Sequence, residues 1–386
     1  MRIAGKLVLT AVLGLTGAVF GSPAAAEIKV GITLSMTGPA AALGVPAGEA
    51  VLVLPNEIGG EKVRWILLDD GTSATQSVAN ARKLITEENV DVLVGSSVAP
   101  PSLPLVELAA EASIPLIATA PAREMIEPMD DKRRWVFKVV PNDSIMAERL
   151  ADYIVKTGAK RIGFIGFNDS YGQDWYKAAK AAFEKRGMEI VANESYARTD
   201  TSVTGQVLKL IAAKPDAILV GASGTPAVLP QKTLRSRGYD KPIYQSHGIA
   251  TPAFIRLGGK DVEGTVFPAG PFLVHNQLAA DDPIRKAAEP FVKVFTDRYG
   301  RPPIMFGAHT WDVGVILQHA VPEALKAGRP GTPEFRKALR DAIEASTDLP
   351  LVAGPATYSP TEHNGYDQRA AAIVQIKDGK FTLLER

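Results

Sequence analysis

Short apolar runs alternate with amphipathic helical patterns along almost the whole chain, and no other feature restricts its possible folds so tightly. Strand-like runs fall at 27–34, 63–69, 90–95, 114–118, 136–139, 161–166, 189–196, 217–221, 242–245 and 264–269. Helical patterns lie between them, among others at 76–88, 147–157, 175–186 and 203–213. A strand that is apolar on both faces must be covered on both faces, and a helix after each strand supplies that cover in a parallel sheet. The pattern predicts an α/β protein, and the length predicts two doubly wound, Rossmann-like lobes instead of one.

Helix starts and turns are punctuated. Asp143-Ser144 and Asp200-Thr201 precede two helical patterns, and Thr332-Pro333-Glu334 places a capping hydroxyl before a proline at the first helical position. Near the end, runs at 370–377 and 380–384 flank Asp378-Gly379, a two-residue hairpin signal. No low-complexity linker divides the chain, so the lobes are expected to be joined by short crossovers.

The first residues read as an export signal. Arg2 and Lys6 precede an apolar run from Leu7 to Phe20, and Ser22-Pro23-Ala24-Ala25-Ala26 has the small residues at which signal peptidase cuts. The run is short for a bilayer span. No cysteine follows it, so a lipid anchor is not expected either, and Glu27 is the expected first mature residue of a periplasmic protein. With no cysteine there is no disulfide, thiol nucleophile or cysteine–zinc site. A formal charge of +1 gives no reason to expect nucleic acid or an anionic membrane surface as a partner.

One segment echoes another. Asp91 begins an apolar strand that ends in Gly95, then Ser96-Ser97-Val98-Ala99 and Pro100-Pro101. Asp216 begins one that ends in Gly221, then Ala222-Ser223-Gly224-Thr225 and Pro226. In doubly wound lobes such loops stand at the carboxyl ends of the sheets, where ligands bind. Any two strand–helix units share some of this pattern, so the echo is either a paired cleft or a coincidence of local structure.

Catalytic motifs are missing. No G-x-S-x-G, P-loop, G-x-G-x-x-G or H-E-x-x-H occurs, and His247, His275, His309, His319 and His363 lack metal-ligand spacing. Asp69-Asp70 reads as a solvated turn with a helix cap, and Asp281-Asp282 as a loop before Pro283. No enzyme activity, cofactor or metal is expected.

Three stretches carry a family likeness: 28–40 (IKVGITLSMTGPA), Leu67-Leu68-Asp69-Asp70 with the helix after it, and 168–174 (NDSYGQD). With the order of elements, they make the chain resemble the leucine/isoleucine/valine-binding proteins of bacterial ABC transporters, of the type I periplasmic binding protein class. The resemblance implies two lobes joined by three crossovers, near Pro141, His247 and Gly354. One lobe would comprise 27–141 plus about 248–350, the other 142–247 plus about 351–386. It implies a monomer that captures a small molecule between the lobes and delivers it to an ABC permease in the inner membrane.

The resemblance also places site residues. Leu43 falls where the family has an aromatic wall. Ser97, Val98 and Ala99 fall where it binds a carboxylate through a hydroxyl and backbone amides, ahead of a helix that Pro100, Pro101 and Ser102 begin; Ser97 or Ser102 could also serve as that helix's cap. Ala120, Ala122 and Arg123 match a second carboxylate loop, Arg123 either pairing with the ligand or remaining solvated. Tyr171 matches a tyrosine set against the ligand, or packs at a helix start. Ser223 and Gly224 replace bulkier residues, and Phe306 matches an aromatic wall or a core phenylalanine.

The informative departure is His247, where amino-acid-binding members carry an acid that neutralises the ligand's ammonium. Histidine cannot supply that charge. It could donate a hydrogen bond to a carboxylate or phenolic oxygen instead, or be a hinge residue. The expected ligand is therefore an apolar or aromatic carboxylate, benzoate- or phenylpropenoate-like. A branched-chain or other amino acid, or a sensing role without transport, are the alternatives.

Overall fold

The computed structural model describes residues 27–386; the expected export signal, residues 1–26, lies outside the described residues. Two sheets organise the chain. The first runs Glu57–Ile58, Glu61–Asp69, Ile28–Leu34, Val92–Gly95, Leu116–Ala118, Val136–Lys138, parallel except for its antiparallel edge pair Glu57–Ile58/Glu61–Asp69. In the second, five parallel strands run Glu189–Tyr196, Arg161–Phe167, Ala217–Gly221, Ile243–Gln245, Val266–Ala269. Ala372–Lys377 and Lys380–Glu385 extend it antiparallel, turning through Asp378 and Gly379, both at positive φ.

In each lobe the first strand sits inside the sheet, so the strand order reverses beside it, between 28–34 and 92–95 in one lobe and between 161–167 and 217–221 in the other. The crevice of a doubly wound sheet opens at that switch point. The echoed aspartates do equivalent work: Asp91 accepts the Lys29 N–H at 3.0 Å, and Asp216 accepts those of Lys160 and Arg161 at 3.0 and 2.9 Å. Each thus pins the start of its lobe's first strand.

The crossovers differ from expectation in two places. Val266–Ala269 hydrogen-bonds within the second sheet, so the second lobe extends past His247 and the chain leaves it only after Ala269. His247 instead opens a short turn, His247–Ile249, inside that lobe. Near Gly354 the chain makes a hairpin, Leu349–Leu351 with Gly354–Ala356. Its Leu349, Leu351 and Ala356 share the first lobe's core with Val30, Val92 and Ile117, so the third crossover comes later. There Asn364 accepts the Asn142 N–H at 3.0 Å and donates to Val140 O at 2.8 Å, tying the third crossover to the first.

Local signals fared unevenly. Thr332 caps Pro333–Glu344 by accepting the Phe335 N–H, and Asp282 caps Pro283–Tyr299. Asp143 does not precede its helix but is the first residue of Asp143–Lys156, and is buried. Asp200 accepts the Ala197 N–H and leaves Thr204–Ala212 without a side-chain cap.

Candidate functional site

Each lobe brings its first helix unusually close to its first strand. A Cβ on Gly44, in Ala41–Val51, would lie 1.9 Å from Ser35 O; one on Gly172, in Ser170–Glu184, would lie 2.0 Å from Phe167 O. Only glycine permits either approach. The preceding residues, Leu43 and Tyr171, are thereby held over the crevice from opposite sides.

Between the lobes they help to line a narrow cavity of about 20 Å³. The lobes touch at its rim, where a Cβ on Gly224 would stand 3.0 Å from Leu43 Cδ1. Seven of the expected residues line it: Leu43, Ser97, Val98, Tyr171, Ser223, His247 and Phe306.

Four do not. Ala99 is in the core, as are Ala120 and Ala122. After Leu116–Ala118 the chain bends at Ala120, and Thr119 and Pro121 line the cavity instead. The second loop therefore offers the cavity Thr119 and Pro121, the neighbours of the expected alanines. Arg123 is exposed, 3.6 Å from Glu127, and belongs to a separate cleft of about 210 Å³ with Asp143, Glu148, Asp174 and Lys177. Its backbone N–H donates across the lobes to Asp174 at 3.1 Å. Val140, Gly248 and His309 complete the lining and were not anticipated. Phe306 and His309 are three apart on Met305–Ala324, a spacing that puts them on one helix face.

The polar groups are individually placed. Ser97 Oγ accepts the Ser35 N–H at 3.1 Å, so its hydrogen remains available to a ligand. The helix behind it differs from expectation: Ala99–Ser102 is four residues long, and two are prolines without N–H, so it offers an anion few donors. Ser102 is structural, accepting the Ser96 N–H at 2.8 Å and donating to Val98 O at 2.8 Å. Asp70, expected in a solvated turn, is buried and accepts from Ser35 Oγ at 2.7 Å, from Ser96 Oγ and from the Thr72 N–H at 2.9 Å. It braces the loops that present Ser97. Arg198 bonds Asp169 at 2.6 Å, donates to Ser223 Oγ at 3.0 Å and lies 4.1 Å over the Phe167 ring.

Both cavity histidines are held neutral. Burial, reinforced by His309 and Lys138, lowers His247 to about 3, and burial lowers His309 to about 4. Behind His247, whose Nδ1 stands 3.6 Å from Asp143 Oδ1, lies a set of buried ionisable side chains. Burial lowers the Lys138 amine to about 8 against the pull of Asp143 and Asp174, and the amine donates to Pro121 O and Asn142 Oδ1. Burial and Asp174 raise the Asp143 carboxyl well above its usual range. Among the described residues that line the cavity, none is acidic. Nor do the described residues form a cluster of three or more His, Cys, Asp or Glu fit for a metal, or a helix long and apolar enough to cross a membrane.

A model of the periplasmic binding protein family matches residues 27–380. A Leu/Ile/Val-binding protein homolog of Brucella melitensis is 26% identical over 95% of this chain and 96% of its own. The crystal structure of an extracellular ligand-binding receptor from Rhodopseudomonas palustris HaA2 is 54% identical, with a TM-score of 0.91 over 93% of this chain and 100% of that one. A solute-binding protein of an R. palustris ABC transporter, solved with benzoate, is 24% identical, with a TM-score of 0.77 over 93% and 96%.

Proposed function

Since the chain belongs to the periplasmic binding protein family, whose members bind substrates and are not enzymes, we propose that it captures a small apolar or aromatic carboxylate between its lobes for an ABC transporter. The Brucella relative is named for branched-chain amino acids, and the R. palustris protein holds benzoate, so the fold accepts either class. The cavity's own residues favour the carboxylate class.

The observation that carries the reading is the uncharged wall. An enclosed α-ammonium would face hydroxyls and neutral imidazoles, and a buried charge without a partner costs several kcal/mol. A carboxylate has the free Ser97 hydroxyl. A ring has Leu43, Val98, Tyr171 and Phe306, and burying about 150 Å² of ring surface contributes about 4 kcal/mol. His247, neutral, can add one hydrogen bond to a ligand oxygen.

Delivery to an inner-membrane permease, a monomeric working form and secretion through a cleaved signal before Glu27 belong to the same proposal. The family match, which starts at residue 27, supports that mature start. Calorimetric titration of refolded protein with benzoate-type acids beside leucine, isoleucine and valine tests the ligand class. Binding of an aromatic acid is the expected result; tight leucine binding with no response to any aromatic acid refutes it. N-terminal sequencing of the protein from its host's periplasm tests export, and full-length chain in the membrane fraction would refute that part.

A further inference from the structure

Bonds behind the cavity wall decide where each hydroxyl hydrogen goes, and the two lobes differ. On the first lobe the Ser97 hydrogen is free, because its oxygen already accepts from Ser35. On the second, Ser246 is fully buried and donates its single hydroxyl hydrogen to Ala222 O. The Tyr171 Oη lies 3.0 Å from Ser246 Oγ. Since Ser246 has no second hydrogen, Tyr171 must be the donor in that contact, and its oxygen keeps only lone pairs for other partners. Ser246 does not line the cavity; Tyr171 does.

Resting on the carboxylate reading above, we infer that Ser246 is a positioning residue that makes the Tyr171 oxygen an acceptor, so that the site selects an aromatic acid carrying a hydroxyl at the end opposite its carboxylate. A carboxylate turned toward Tyr171 would meet lone pairs, which sets the ligand's direction: carboxylate on the first lobe, hydroxyl on the second. His247 stands beside this pole, 6.1 Å from Tyr171 between ring centroids. A ligand with both groups bonds to both lobes at once, whereas an unsubstituted acid has a polar bond to one.

The test compares benzoate with 4-hydroxybenzoate, and 3-phenylpropenoate with its 4-hydroxy counterpart, by calorimetry on the mature chain. In at least one pair the hydroxylated acid is expected to bind tenfold or more tightly, the equivalent of about 1.4 kcal/mol. Tyr171→Phe removes the acceptor, and Ser246→Ala returns the phenol hydrogen to the cavity. Tyr171→Phe should bring that ratio to within about twofold; in Ser246→Ala the carboxylate of an unsubstituted acid can accept from the freed phenol, so that acid should gain affinity and the ratio should fall. Because Ser246 does not line the cavity, a collapse of the ratio in Ser246→Ala cannot come from a lost ligand contact. Equal affinities within both pairs, or a ratio that survives both substitutions, would overturn the inference and leave the carboxylate reading standing. Failure of all four acids with tight leucine binding would overturn that reading itself. The wild-type ratio decides even if a variant does not fold.

Discussion

Leu43 and Tyr171 hold equivalent places in the two lobes: each directly precedes the glycine that lets its lobe's first helix press on the end of the first strand. The cavity is therefore framed by a duplicated backbone device, and the two lobes differ in the side chain each device presents. Gly172→Ala would force a methyl group within 2.0 Å of a backbone oxygen. Such overpacking costs typically 1–3 kcal/mol, and more where backbone must move. Chemical denaturation should show a loss of at least about 3 kcal/mol, and ligand affinity should fall with it as Tyr171 is displaced.

Ser97 and Ser102 should differ in their effect on binding while both cost stability, since each accepts a buried backbone N–H, from Ser35 and Ser96. Ser97→Ala removes the free hydroxyl, and a hydrogen bond to a charged group is worth about 1.5–3 kcal/mol. Titration with a bound aromatic acid should show affinity weakened about tenfold to a hundredfold. Ser102→Ala orphans the buried Ser96 N–H and should cost about 1–3 kcal/mol in an unfolding titration, with a smaller change in affinity.

Closure is held in part by the Arg123 N–H on Asp174. Ligand binding should compact the protein about its crossovers, lowering the radius of gyration in solution scattering. Asp174→Ala should enlarge the ligand-free radius and leave the saturated one unchanged. Equal radii with and without ligand, with binding confirmed separately, would contradict hinge closure.

Acid should weaken the fold through the cavity histidines. Both sit below the ordinary 6.5, at about 3 and about 4. Between those values and 6.5 the unfolded chain binds protons that the folded chain does not, so stability rises with pH there. Their contribution is complete above about 6.5 and is lost as pH falls toward 4. Asp312, raised by burial to about 8, slopes the other way, because its folded form holds a proton that the unfolded chain releases. The measurement is therefore a difference: His309→Gln should flatten the acid side of the stability–pH curve relative to wild type by about 1 kcal/mol per pH unit.

Interior strands of the two sheets were legible because burial on both faces leaves a continuous apolar run, and all ten expected strands form. The site was legible where a loop follows a strand directly, as with Ser97 and Ser223. It failed where phase mattered. Ala120 and Ala122 differ from Thr119 and Pro121 by one residue, and after the strand ends the chain bends at Ala120, so no simple period says which neighbour faces the cleft. His309 has its signal in the i, i+3 spacing from Phe306, but the spacing alone does not say which helix face meets the cleft. The crossovers were misplaced because a strand before a crossover and a strand after it look alike; only hydrogen bonding assigns Val266–Ala269 to its sheet.

The first lobe's sheet has all its strands by Lys138, yet one of its faces is covered by Val313, Ile316, Leu317, Phe335 and Leu339, from far later in the chain. The second lobe's sheet likewise waits for 372–385. A polypeptide threaded out of a membrane amino end first would thus present a bare apolar sheet for most of its passage. Neither half can finish alone: the first waits for residues 313–339 and the second for the last to emerge.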